Sequence, residues 1–249
     1  MEQPQGDARN LAVSGIASLG QAVLAVFSAF LVAAAIVAPT SAWLVDAGLL
    51  AAGSLTLNVV QTVLQFVGFI VAIVGFLAIT DTWSLLHTRR PTGRMLLFAG
   101  GAVVVLLVAQ FGAGYLFQAL GISFGENQVI TQGREAPVYF LYMIPVSLLL
   151  VGPIEELLFR GVAQGVLRRT FGVRAAIVLA SSMFGLIHWV ALSGTPVEKF
   201  AYVAIAALLG VVLGVLYERT ESILAPALAH GVYNSTLFAI QYAGATGMA

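Results

Sequence analysis

The chain contains no cysteine and very little charge. Its 249 residues include 11 Lys+Arg and 11 Asp+Glu, so 9% are charged, where a soluble domain carries roughly 25%. The absence of cysteine excludes disulfides and thiolate metal sites. The balanced charge gives no attraction for nucleic acid, so no nucleic-acid partner is expected. With 60% hydrophobic residues, the composition excludes both an ordinary soluble enzyme and a disordered chain.

Long apolar runs dominate the sequence instead. At roughly 20 apolar residues for each crossing of a bilayer, they predict about seven spans. These runs cover 11–38, 55–80, 94–120, 137–152, 174–192, 199–217 and 222–243. The stretch 42–54 is ambiguous and could form an eighth, short or interfacial segment. The predicted fold is therefore an all-α, polytopic transmembrane helical bundle with about seven to eight spans.

The positions of arginine and lysine predict the orientation of the bundle. Cytoplasmic loops carry an excess of these residues. If the N-terminus is cytoplasmic, the basic residues of the inner loops are Arg9, Arg89, Arg90, Arg94, Arg168, Arg169, Arg174 and Arg219. The outer loops then carry only Arg134 and Lys199. With an odd number of spans, the C-terminus lies outside.

Five ionisable side chains fall within the apolar region, where a charge near the bilayer centre costs about 2.5 kcal/mol or more. They are Glu155, Glu156, Arg160, His188 and His230, and the polar Asn234 accompanies them. The chain has three histidines, and the third, His87, is expected at a membrane interface. Such costly groups are hypotheses for a functional site by default.

Helical spacing indicates which of these groups share a face. Glu156 and Arg160 are four residues apart and can pair. Glu155 is rotated by about 100° from its neighbour, so it is free to point elsewhere in the bundle interior. His230 and Asn234 are also four residues apart and project from one face.

The depths of the polar groups overlap. At about 1.5 Å per helical residue, Glu155 and His188 lie about 20 Å from the cytoplasmic ends of their helices. His230 and Asn234 lie about 12 and 18 Å from theirs. We therefore expect them to converge on one intramembrane catalytic cavity that opens toward the cytoplasm.

The residue types fit several kinds of chemistry. A carboxylate beside an imidazole can hold and deprotonate a water, while a second imidazole with an amide can donate hydrogen bonds to an oxyanion. Together these are the parts of an amide hydrolase. One glutamate and two histidines are also ligands that a catalytic metal uses. Two other interpretations of these residues remain. They could form a polar network that only fixes helix packing, or they could belong to a proton-coupled transporter.

Three motifs together resemble the CAAX protease and bacteriocin-processing family of intramembrane proteases, in particular its type II CAAX prenyl endopeptidases. The family pattern is EExxxR, then FxxxH, then HxxxN or HxxxD. Here these are Glu155–Arg160, Phe184–His188 and His230–Asn234, in the same order. The resemblance covers about 140–240, while the first 135 residues match only as generic spans.

The resemblance implies a role for each position. Glu155 is the general base that activates water, and His188 shares that water. His230 and Asn234 form the oxyanion hole. The resemblance further implies supporting roles, with Glu156 and Arg160 as an ion pair and Phe184 shaping the pocket.

The resemblance leaves the cofactor open. Family members have been called metalloproteases, so Glu155, His188 and His230 would bind a divalent metal such as zinc if hydrolysis depends on one. The alternative is a metal-free glutamate mechanism. Asn234 stands where some relatives carry an anionic Asp. This difference favours the metal-free mechanism, in which water attacks and an oxyanion hole stabilises the intermediate.

Other protease signatures are weaker. Gly121–Gly125 matches GxSxG, but Ser123 falls in the outer loop 121–136, away from the histidines, so we interpret the match as chance. The motif HExxH is absent, which excludes an ordinary zincin. The aspartates Asp7, Asp46 and Asp81 lie at or near span ends, so an aspartyl protease is not expected.

The sequence as a whole predicts an intramembrane endopeptidase. Residues 1–135 are expected to form N-terminal transmembrane helices, and residues 136–249 a catalytic transmembrane core, within one membrane domain. The expected partners are the lipid bilayer and a membrane-anchored or prenylated protein substrate. The expected location is the cell (plasma) membrane. A non-proteolytic scaffold or a transporter with the same buried network is the alternative.

Overall fold

A computed structural model describes residues 3–248, and the side chains of residues 13–248. The predictions for Asp7 and Arg9 concern side chains outside that part of the chain. The first three helices are α1 (Gln3–Asp46), α2 (Leu55–Thr80) and α3 (Gly93–Ala119). Turns and bends fill residues 47–53, so the ambiguous stretch 42–54 is the end of α1 followed by a connection.

The second half of the chain is helical with short irregular stretches. Its helices are α4 (Gln128–Glu135), α5 (Val138–Val146), α6 (Gly152–Glu156), α7 (Gly165–Ile187), α8 (Pro196–Thr220) and α9 (Leu224–Thr246). π-Helical stretches, Ser147–Val151 and Leu157–Gln164, join α5 and α6 to the start of α7, which is kinked at Gly172. Two short strands, β1 (Glu126–Asn127) and β2 (Leu192–Ser193), pair in an antiparallel manner.

The fold is an all-helical bundle, as predicted, but the span count of seven to eight is not confirmed. Within the described residues, five helical stretches are long and apolar enough to cross a membrane: Val13–Asp46, Leu55–Thr80, Gly93–Ala119, Val138–Ala191 and Pro196–Thr220. The fourth has 54 residues and includes both predicted spans 137–152 and 174–192. Gly172 interrupts it with left-handed backbone angles (φ 74°, ψ 174°).

Side chains at the helix starts explain several boundaries. Ser54 accepts a hydrogen bond from the backbone N–H of Leu57, and Thr92 accepts one from Met95. Thr195 and Glu198 form a capping box at the start of α8. Each cap satisfies backbone N–H groups that have no partner inside the helix, and so fixes where the helix begins.

Two apolar clusters hold the bundle together. One joins α1 and α2 to the α6–α7 region through residues such as Ala29, Phe69 and Phe159. The other joins α3, α8 and α9 through residues such as Leu106 and Leu213. The outward faces are apolar as well, and many of their large side chains are exposed. Such a surface suits contact with lipid rather than with water.

The two ends of the bundle differ in charge. At the end that we call the basic end, the 81–92 connection meets residues 168–174 and 218–223. Arg89 pairs with Glu221 at 2.6 Å, and Arg168 pairs with Glu218 at 2.8 Å. The opposite end carries the β1–β2 pair and an ion pair between Arg134 and Glu126.

Candidate active site

The two glutamates lie where the helical stretch from α5 to α7 departs from regular α-helix. They occupy α6, between the two π-helical stretches. Pro153, the second residue of this segment, has no backbone N–H, so it cannot complete the regular ladder of hydrogen bonds. π-Helical turns are rare and frequently mark functional sites. This departure widens the helix next to the glutamates.

A close crossing of α6 and α9 brings the third motif to the glutamates. A Cβ atom on Gly152 would lie 2.7 Å from the backbone nitrogen of Gly231, and one on Gly231 would lie 3.0 Å from Cα of Leu148. Only residues without a side chain allow the two backbones to approach so closely. His230 is adjacent to this crossing and therefore lies beside α6.

His230 lies between the two glutamates. Its Nδ1 is 2.9 Å from Oε1 of Glu156, and its Nε2 is 3.8 Å from Oε2 of Glu155. The other oxygen of Glu156 accepts a hydrogen bond from Nε of Arg160 at 2.9 Å. Glu156 and Arg160 are fully buried, and the side chains of His230 and Glu155 are 7% and 12% exposed. The four side chains form a continuous polar row inside the apolar bundle.

The contacts of Glu156 determine which ring nitrogen of His230 carries a hydrogen. Arginine keeps its charge in proteins, so the paired Glu156 is a carboxylate that only accepts hydrogen bonds. Nδ1 of His230 must therefore donate to it. Nε2 is left toward Glu155, where it can accept a proton or, in an imidazolium ring, donate one.

Phe184 connects the row to the second histidine. Its ring centre lies 4.9 Å from that of His188 and 5.7 Å from that of His230. The guanidinium carbon of Arg160 lies 5.3 Å from the same ring centre. Within the described residues, Nη1 and Nη2 of Arg160 have no hydrogen-bond partner, so the aromatic face compensates part of the buried charge.

His188 ends α7 and is oriented by its own helix. Its Nδ1 lies 2.7 Å from the carbonyl oxygen of Phe184. A carbonyl only accepts, so Nδ1 carries the hydrogen and Nε2 of the neutral ring has a free lone pair. His188 is the first residue of a 3₁₀ turn, His188–Ala191, which leads into β2 near the end opposite the basic end.

Asn234 lies one helical turn after His230 and is partly buried. Among the side chains that the structure describes, it has no hydrogen-bond partner. The structure thus links six of the predicted site residues by contacts, namely Glu155, Glu156, Arg160, Phe184, His188 and His230. It places Asn234 on the same helix as His230, without a hydrogen bond to the other described site residues.

Sequence reasoning missed two aromatic neighbours of the site. The ring of Phe159 packs 5.1 Å from Phe184, and the ring of Tyr202 lies 5.9 Å from His188. The hydroxyl of Tyr202 accepts a hydrogen bond from the Asn127 amide at 3.4 Å. Aromatic residues in apolar helices are usually part of the core, so their types carried no signal of a site.

Ser123 lies apart from this arrangement. It is exposed in the connection after α3 and lines a surface cavity of about 450 Å³ with Gly114, Gln118 and Phe124. His188 and His230 instead face Phe184.

The side chains do not fit a metal centre. Within the described residues, no three or more His, Asp or Glu side chains are grouped so that they could hold a metal ion. The Nδ1 atoms of His188 and His230 are hydrogen-bonded to a carbonyl and a carboxylate, so only their Nε2 atoms could bind a metal. The expectation of a metal on Glu155, His188 and His230 therefore has no support in this arrangement.

The three motifs also fall within a known protein family. Residues 137–236 match the sequence model of the family described as type II CAAX prenyl endopeptidase Rce1-like. This match confirms the resemblance drawn from the motifs, and it indicates a protease of the CAAX type. It does not favour a non-proteolytic scaffold or a proton-coupled transporter. No curated protein and no solved structure matches the chain.

Proposed function

On the premise that residues 137–236 form a type II CAAX prenyl endopeptidase Rce1-like domain, we propose that the chain is an intramembrane endopeptidase. It hydrolyses a peptide bond of a membrane-associated or prenylated protein. The observation that carries this proposal is the position of His230, with Nδ1 2.9 Å from Glu156 and Nε2 3.8 Å from Glu155. A carboxylate and an imidazole in one buried site are the groups that water-based amide hydrolysis needs.

Glu155 acts as the general base in this proposal. Its carboxylate takes a proton from a water while the water oxygen attacks the scissile carbonyl carbon. His188 accepts a hydrogen bond from the same water at Nε2, because Nδ1 donates to Phe184. When the tetrahedral intermediate collapses, Glu155 returns its proton to the leaving amide nitrogen and the C–N bond breaks. The products are a carboxylate and an amine.

His230 and Asn234 stabilise the oxyanion of the intermediate. Since Nδ1 of His230 donates to Glu156, the ring can donate to an oxyanion only from Nε2, and it is then an imidazolium. The adjacent carboxylates of Glu155 and Glu156 favour this charged form. The Asn234 amide supplies a second donor. Preorganised donors of this kind contribute about 3 kcal/mol each to the transition state.

The rest of the chain supports this chemistry. Residues 136–249 are the catalytic core, and residues 1–135 are N-terminal helices that enclose it. A prenyl chain between helices would contribute about 0.8 kcal/mol for each buried CH₂ group. Removal of a C-terminal tripeptide after a prenylated cysteine is the reaction that the family description suggests. The proposed location is the cell membrane, with the basic end toward the cytoplasm.

Hydrolysis of a defined peptide tests this proposal. The purified chain in liposomes would be given a farnesylated CAAX peptide with a quenched fluorophore, and the same peptide without the lipid. We expect cleavage of the farnesylated peptide, and loss of about 100- to 10,000-fold in rate for Glu155→Gln. His188→Asn keeps a donor for the Phe184 carbonyl but removes Nε2, so it should lose rate and keep its thermal stability.

Two variants serve as matched controls. Ser123→Ala and His87→Asn change a serine and a histidine outside the polar row, and both should cleave at the wild-type rate. Wild-type rates for Glu155→Gln would overturn the assignment of the base. Total loss in Ser123→Ala would instead indicate a serine mechanism.

A further inference from the structure

A second cavity lies at the basic end, outside the polar row. It has a volume of about 220 Å³. Its lining includes Ser84 and His87 from the connection after α2, Arg168 and Arg169 from α7, and Tyr217 from α8. The cavity thus joins three separate segments and presents two guanidinium groups, a hydroxyl and an imidazole.

The two arginines of this cavity differ in their partners. Arg168 pairs with Glu218 at 2.8 Å, so its charge is compensated. Arg169 donates through Nη2 to the Ser84 hydroxyl at 3.3 Å. Among the described residues it has no acidic partner within salt-bridge distance. A guanidinium has five N–H donors, so among the described side chains Arg169 keeps both an unpaired charge and free donors.

Buried groups hold the floor of the cavity in place. The hydroxyl of Tyr217, which is 1% exposed, donates to the carbonyl of Leu85 at 3.0 Å and accepts from the backbone N–H of His87 at 3.3 Å. The ring of His87 stacks on that of Tyr217 at 5.5 Å. These contacts tie the 81–92 connection to α8. These contacts fix the floor of the cavity, while Ser84, Arg168 and Arg169 line it as exposed side chains.

The acidic residue beside the cavity, Glu218, already has two partners. Glu218 accepts a second hydrogen bond from Nε2 of the fully buried Gln164 at 2.9 Å. Its carboxylate is thus bound by two side chains, Arg168 and Gln164. Within the described side chains, the cavity arginine without an acidic partner is Arg169, which lies beside the hydroxyl of Ser84.

We propose that this cavity binds a phosphate group. Arginine forks match phosphate oxygens in geometry and charge, and the Ser84 hydroxyl adds a donor. The cavity lies at the ends of membrane helices, the depth at which basic pockets between helices bind the headgroups of anionic lipids. The phosphate comes from a lipid headgroup or from free phosphate, and the experiment below separates the two sources.

Binding would be measured on the purified full chain in nanodiscs or detergent. One arm adds phosphatidylglycerol, with phosphatidylcholine as the uncharged comparison, and a second arm adds inorganic phosphate at matched ionic strength. Bound lipid is counted by native mass spectrometry, and binding of either probe is followed by the shift in thermal unfolding. We expect phosphatidylglycerol to bind about tenfold more tightly than phosphatidylcholine, as one added charged hydrogen bond provides.

Single variants test whether the lipid binds in the cavity or is attracted by the other basic residues at the same end of the bundle. Arg169→Gln should lose about tenfold in affinity, Ser84→Ala should lose less, and Arg169→Lys should be intermediate. Arg90→Gln removes the same charge at the same end but outside the cavity, and should leave binding unchanged. A response to inorganic phosphate that Arg169→Gln abolishes, without one to the lipid, would assign free phosphate as the source. Equal losses in Arg169→Gln and Arg90→Gln, or no binding of either probe, would overturn the proposal.

Discussion

Glu156 accepts a hydrogen bond from Nδ1 of His230 at 2.9 Å, although the two residues are 74 positions apart in the chain. Its other oxygen accepts from Arg160 at 2.9 Å. Glu156 therefore joins a local ion pair to a distant helix. We propose that it acts as a positioning residue, which fixes the tautomer and the orientation of His230.

Replacing Glu156 with alanine should lower both stability and hydrolysis. The change leaves the fully buried Arg160 without its carboxylate, and breaking a buried pair in this way costs about 3–5 kcal/mol. It also frees Nδ1 of His230. Thermal unfolding in detergent and the hydrolysis of the farnesylated peptide would measure the two effects.

A double variant separates the positioning role from a purely structural one. Glu156→Leu with Arg160→Met removes both charges and fills the space with apolar groups. Such replacements of a buried ion pair are often neutral or stabilising, so most of the lost stability should return. Hydrolysis should stay low, because nothing then holds His230. Recovery of wild-type hydrolysis in the double variant would contradict the positioning role of Glu156.

The sequence predicted much of the N-terminal half because its signals are local. The runs 55–80 and 94–120 correspond to helices Leu55–Thr80 and Gly93–Ala119. Apolar runs with a serine or threonine cap at the start define helix ends through short-range hydrogen bonds. The residues of the polar row were also visible, since ionisable groups are conspicuous in a chain with so little charge.

The partners of those residues could not be predicted because they depend on contacts between helices. Spacing of four residues reveals the pair of Glu156 and Arg160, but it gives no information about His230. The π-helical stretches beside α6 also alter the regular geometry from which the faces were deduced. The glycine pair that sets the crossing of α6 and α9 is not a recognisable sequence motif, since its members lie on different helices.

Gly231→Ala should impair hydrolysis by separating α6 from α9. The added Cβ would meet the backbone of Leu148 at 3.0 Å, and backbone cannot yield as a flexible side chain would. Overpacking of this kind costs about 1–3 kcal/mol, and a displacement of about 1 Å at a catalytic group can lower the rate about 100-fold. Steady-state rates and thermal unfolding of the variant would check this.

Gly112→Ala provides the control for that change. Nothing lies within 4 Å of a Cβ atom at Gly112, which is on α3. The variant should therefore keep wild-type hydrolysis and stability. Equal behaviour of the Gly231 and Gly112 variants would show that the close crossing does not position His230.

The absence of cysteine allows a direct test of orientation. Pro91→Cys and Glu135→Cys each place a single thiol at an exposed position, the first at the basic end and the second at the opposite end. If the basic end faces the cytoplasm, a membrane-impermeant maleimide added to intact cells should label Glu135→Cys. It should label Pro91→Cys only after the cells are permeabilised. The reverse pattern would place the basic end outside.

Chelation should leave hydrolysis intact if glutamate and histidine activate water without a metal. The arrangement favours this outcome because, among the described residues, no three His, Asp or Glu side chains are grouped so that they could hold a metal ion. The rate would be measured before and after treatment with EDTA and with phenanthroline, alongside the metal content of the protein. A zinc protease treated in parallel confirms that the chelators act. Loss of hydrolysis that added zinc restores would instead assign Glu155, His188 and His230 to a metal site, which would require these side chains to regroup.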